Sequence, residues 1–134
     1  MATVTRNTWQ RQADQTFIWR ITASDVNTTD EFQTPLVIPK RLTILRGEIQ
    51  RTAGTAAQYR PTIRTVPGSA LNIDIAWETT LTATSAIVDE GRPKDGPVDA
   101  FFPAARAYFA PRFSSDADNA FDAQFILAPP GQIG

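Results

Sequence analysis

The chain contains no cysteine and no histidine. Disulfides, thiol nucleophiles, Cys/His zinc sites and imidazole acid–base chemistry are therefore excluded. Without thiols, redox usage gives no clue to compartment. Lysine is scarce as well: Lys40 and Lys94 stand against eleven arginines. No apolar run approaches the ~20 residues that a membrane-spanning helix requires, so no membrane partner is expected. The opening MATVTRNTWQRQADQ lacks the apolar core of a signal peptide, and synthesis in the cytoplasm without classical secretion is expected. The net charge of −1 supplies no long-range field to attract nucleic acid or anionic lipid.

What is present describes a β protein. Its 134 residues suit one domain able to bury roughly two thirds of its unfolded surface. Apolar residues make up 42% and charged residues 20%, ordinary values for a soluble fold. The arginine bias has two readings. Arginine favours contact surfaces, because its plane stacks on rings and forks onto carboxylates, but a GC-rich genome gives the same bias.

Thr, Ile, Val and aromatics are frequent, with Pro and Gly punctuating at short intervals. Residues 1–15 are polar apart from Trp9 and read as an extended arm. TFIWRIT alternates, with Phe17, Trp19 and Ile21 on one face, as in a half-buried strand. LVIP (36–39) reads as a short strand and RLTILRGEIQRT (41–52) as a long one. In the long strand, strict alternation puts Leu45, Gly47 and Ile49 on one face, opposite Leu42 and Ile44. Pro61 in QYRPTIRTV calls for an edge or a bulge. LNIDIAWETTLTATSAIV (71–88) alternates through Ile73, Ile75 and Trp77, and DEGRPKDGPVD (89–99) reads as an exposed loop. Residues 100–109 have room for a turn or two of helix. Tyr108–Phe113 and Ala120–Ala128 read as strands joined by an Asp/Asn-rich turn. The expectation is an all-β fold of seven to eight antiparallel strands, a β-sandwich of jelly-roll type over residues 16–128. The arm precedes it, and residues 129–134 form a tail.

Candidate sites weaken when their spacing is examined. A calcium loop starting at Asp116 has an oxygen at its third position in Asp118. It then places Ala120 fifth, Phe121 sixth and Leu127 twelfth, where an oxygen, a glycine and a bidentate glutamate are needed. A turn explains the acids better. Asp74 and Glu78 flank Trp77 but lie on the face opposite Ile73 and Ile75, the pattern of a solvated face and not of a carboxylate pair in a cleft. No nucleophile elbow or phosphate-cradling glycine loop occurs. The arginines of 41–64, with Tyr59 among them, are interleaved with Glu48, so a nucleic-acid partner is not expected. No enzyme and no cofactor is expected. Interface character remains: Trp9, Arg6 and Arg11 on the arm and Ile133 in the tail are the candidate contact residues.

LVIPKRLTILRGEIQRTAGTAAQYRPTI and YFAPRFSSDADNAFDAQFIL resemble the small cysteine-free jelly-roll proteins of tailed-bacteriophage virions, a likeness of style over residues 16–128. The resemblance implies a capsid decoration, or cement, protein on the virion surface. It would bind the lattice of the major capsid protein, with a homotrimer favoured by threefold lattice positions. The same style fits a neck, tail or baseplate accessory protein. It also fits a carbohydrate-binding module in which Trp77 or Tyr108 stacks on a sugar and Asp116 or Asp118 accepts hydroxyls.

Overall fold

A computed structural model describes residues 2–54, 58–59, 61–65, 81–82, 88–91, 98–116 and 118–129. Among them the fold is all-β, without helix. The strands are β1 (Thr3–Arg11), β2 (Phe17–Val26), β3 (Phe32–Gln33), β4 (Arg41–Ala53), β5 (Gln58–Tyr59), β6 (Thr62–Arg64), β7 (Leu81–Thr82), β8 (Val88–Gly91), β9 (Val98–Phe101), β10 (Tyr108–Ala110) and β11 (Asn119–Ala128). The large sheet runs β1-β2-β11-β4-β8, with β9 also paired to β4. A small sheet runs β3-β10-β6, and β5 pairs with β7. All pairings are antiparallel.

Residues 3–11, expected as an arm, are the edge strand of the large sheet, in register with β2 from Thr3↔Ser24 to Arg11↔Phe17. Their polarity misled because β1 has little buried surface to declare. Asn7 fastens the strand instead. Its Oδ1 accepts the Trp19 indole N–H at 2.8 Å, and its Nδ2 donates to the Gln33 carbonyl at 2.8 Å. One side chain thus joins β1, the core tryptophan and the small sheet.

The core lies between the two sheets. Trp19, Ile21 and Ala23 of β2 face inward, as do Phe121, Ala123, Phe125 and Leu127 of β11, as their alternation requires. Phe109 of β10 meets Phe121 at 5.5 Å and Phe125 at 4.8 Å between ring centroids, and Phe32 of β3 meets Phe121 at 5.3 Å. Tilted and edge-on rings suit aromatic quadrupoles, and each adds to an area term of about 2–3 kcal/mol per buried ring.

In β4 simple alternation fails. Ile126 pairs with Arg46 and Leu127 with Ile44, so Leu45 is an extra residue. This bulge resets the phase and turns Leu42, Ile44, Gly47 and Ile49 all inward. A second bulge in β2 lies where Phe121 pairs with Ala23 but Asn119 with Val26; there Asp25 takes a φ of 53°.

The pairings nest: β2 with β11, β3 with β10, β4 with β8 and β9, β5 with β7. Five expectations change accordingly. The acidic turn does not close a hairpin, because β10 lies in the small sheet and β11 in the large one. It is an arch between sheets. Residues 36–39 form no regular strand, since Pro35 and Pro39 lack ladder donors. Pro61 divides its strand in two, and β5 and β6 enter different pairings. Of 89–99, expected as loop, 89–91 belong to β8 and 98–99 to β9 on the flank of β4, and of 100–109, given room for helix, 100–101 continue β9 and 102–107 turn without helix.

Candidate interaction surface

The segment TPLVIPK cannot make a full ladder, because two of its seven residues are proline. Proline also holds its predecessors, Thr34 and Ile38, extended. Their N–H groups are the ones that bond across, Thr34 to the Ala107 carbonyl at 3.0 Å and Ile38 to that of Ala105 at 2.9 Å. The Lys40 carbonyl accepts from Phe102 N–H at 2.6 Å, and Arg106 Nη1 donates to the Thr34 carbonyl at 2.7 Å. Ala105 takes a φ of 55° and its N–H closes a turn onto the Phe102 carbonyl at 2.9 Å. Both segments are thus held by backbone bonds, not by burial of all their side chains.

Ile38 and Phe102 anchor the rim in the core. Their neighbours are left outside: Leu36 is 43% exposed, Val37 68% and Phe101 45%. Isolated exposed apolar residues are ordinary, but here three large ones lie along two segments bonded to each other, with exposed Pro35, Pro39 and Pro103 beside them. Arg41 pairs with Phe101 in register, and its guanidinium carbon sits 5.2 Å from that ring centroid. Lys40 is exposed beside it. The rim is an apolar lip with a basic border, suited to an acidic-edged apolar surface.

The residues singled out by sequence fall elsewhere. Trp9 is half-buried and stacks on Phe17 of the same sheet, with centroids 5.2 Å apart and planes at 26°. It is an internal contact of the β1–β2 pair. Arg11 Nη2 donates to Gln15 Oε1 near the β1–β2 connection. In that connection Asp14 Oδ1 accepts from Thr16 Oγ1–H at 2.6 Å and Thr16 N–H at 3.1 Å. These bonds hold the Asp14 carboxyl below the usual carboxylate range. Arg6 lines a shallow hollow of about 250 Å³ on the outer face of the large sheet, with Arg20, Glu48 and Asp122. That face is internally satisfied: Arg20 Nε donates to Gln124 Oε1 at 2.8 Å, Thr22 Oγ1 to Asp122 Oδ1 at 2.9 Å, and Arg46 pairs with Glu48 at 3.1 Å. Ile133, Asp74, Trp77 and Glu78 lie outside the described residues.

The arginines of 41–64 do not form one patch. Arg41 borders the lip, Arg46 is on the outer large sheet, and Arg64 pairs with Glu31 at 2.6 Å. Arg51 is buried and donates through Nη1 to the Gly54 carbonyl at 2.5 Å; Arg60 lies outside the described residues. The acidic arch is tied down by its polar groups. Asp116 Oδ1 accepts Thr28 N–H at 2.5 Å, Asp118 takes a φ of 52°, and Asn119 Nδ2 donates to the carbonyls of Val26 (3.1 Å) and Ser115 (2.7 Å). Among the described residues no three Asp or Glu side chains gather to hold a metal ion.

Sequence reasoning missed Leu36, Val37 and Phe101. The available signal was the proline bracket around 36–38 and the doubled phenylalanine, of which only one can face inward in a strand. No family model, no curated protein and no solved structure matches the chain.

Proposed function

We propose that the chain is a jelly-roll β-sandwich acting as a non-enzymatic binding module, a decoration or cement protein on a tailed-phage capsid. The nested pairing supports the fold part of this reading. Folding one long hairpin over itself brings first strand to last and second to second-last, as β2–β11, β3–β10, β4–β8/β9 and β5–β7 do here. The observation that carries the function is the lip. A small domain leaves Leu36, Val37 and Phe101 in water on a rim stiffened by prolines and backbone bonds. A preformed apolar patch loses little entropy on docking, and repetition over a lattice multiplies modest contacts into firm attachment.

The virion setting rests on the resemblance of residues 36–63 and 108–127 to phage jelly-roll proteins. The partner is then the major capsid protein, and threefold positions favour a homotrimer. The test is to mix the purified protein with undecorated shells and sediment them. Saturable co-sedimentation at a fixed number of copies per capsid subunit is expected. Its absence removes the proposal.

A further inference from the structure

The outer face of the small sheet carries a hollow of about 520 Å³, lined by Thr28, Thr29, Glu31, Arg64, Ala110 and Arg112. Register explains it. Arg64 pairs with Tyr108 and stands diagonal to Ala110 on the same face, Glu31 directly precedes β3 on the other side of β10, and between them Ala110 offers only a methyl group. The volume falls within the range of small-molecule sites and exceeds what one carboxylate side chain would fill.

We propose that this hollow binds a small polyhydroxylated carboxylic acid, of the uronic- or sialic-acid class. Two guanidinium groups face one carboxylate. Arg64 Nη1 is engaged by Glu31 at 2.6 Å, but its buried Nε has no partner. Arg112 makes no ion pair with any described residue. The net charge of the lining is therefore +1, which suits a monoanion. A phosphate dianion would exceed the single net positive charge of that lining and would meet Glu31 in its wall. Guanidinium forks recognise carboxylates, while the Thr28 and Thr29 hydroxyls and the remaining oxygen of Glu31 suit sugar hydroxyls.

The site is built in advance. Asp116 holds Thr28 N–H at 2.5 Å, and Asp30 holds Asn27 N–H at 2.7 Å while its own N–H returns to the Asn27 carbonyl at 3.2 Å. Arg112 follows buried Pro111 with a φ of 51°, a left-handed conformation that costs energy in an arginine. The strain aims a cationic side chain at the hollow where glycine would have been the relaxed choice. The binding claim does not depend on the capsid reading.

The experiment is an amide-resolved NMR titration of the full chain with sodium glucuronate and N-acetylneuraminate, with glucose and inorganic phosphate as comparators. Saturable shifts at Thr28, Thr29, Ala110 and Arg112 are expected for at least one acid below ~50 mM, the concentration range of a weak millimolar site. Arg112→Gly suits the backbone and is expected to melt no lower than the parent, yet to bind about tenfold more weakly, as loss of a charge-assisted bond requires. No saturable shift with either acid overturns the proposal. Equal response to glucose, stronger binding of phosphate, or undiminished binding by Arg112→Gly does so too.

Discussion

Asn7→Ala tests whether residues 3–11 are a docked strand or a free arm. Two bonds are lost. Removing the Asn7 carbonyl leaves the indole N–H of fully buried Trp19 without its acceptor, at a cost of about 1–3 kcal/mol. Removing the amide frees the Gln33 carbonyl, which is near solvent, for about 0.5–1 kcal/mol. Together these come to about 1.5–4 kcal/mol, a large share of the stability of a small domain. Urea unfolding followed by tryptophan fluorescence is the assay. The midpoint is expected to fall with the slope unchanged, because the same surface is exposed on unfolding. Thr8→Ala, exposed on the other face of the same strand, serves as control and is expected to stay within about 0.5 kcal/mol of the parent. If Asn7→Ala matched that control, β1 would not be joined to the core through this side chain.

Other consequences are as direct. Phe125→Ala removes the ring shared by Trp19 (5.3 Å) and Phe109 (4.8 Å) and is expected to cost about 3–5 kcal/mol in the same unfolding assay. A loss under 1 kcal/mol would deny its place between the sheets. Gly54 has a φ of 118°, beyond what a Cβ accepts, so Gly54→Ala is expected to cost about 1 kcal/mol or more, and unchanged stability would contradict that backbone. Asp14 has a folded-state value depressed below its unfolded one. Its contribution is therefore present above the unfolded value of about 3.9 and is lost as pH falls through the lower folded value. NMR titration of the Thr16 amide is expected to show a midpoint below about 3.9; a midpoint at or above that value removes the role given to Thr16.

Much of the large sheet was legible, because β2 and β11 bury one face and expose the other, and alternation reports that directly. The long strand β4 was legible in extent but not in phase. The bulge at Leu45 depends on register with β11, and that register is set by residues eighty positions away. β1 was misread because a strand whose inner face holds Asn7 and a half-buried Trp9 shows no apolar stripe. The arch at 113–119 has the composition of a hairpin turn, since turn chemistry is local, whereas the sheet each flanking strand joins is decided at long range. The lip escaped for the opposite reason: LVIP has the composition of a buried strand, and only the proline-limited bonding leaves Leu36 and Val37 outside.

On the proposed function the lip, and not the β1 tryptophan, makes the external contact. A double variant, Val37→Asp with Phe101→Asp, replaces two largely exposed apolar groups, keeps a charge partner for Arg41, and is expected to melt within a few degrees of the parent. Sedimented with undecorated shells, it is expected to remain in the supernatant where the parent pellets, while Arg6→Ala pellets as the parent does. Co-sedimentation of the double variant at parental stoichiometry would contradict the account.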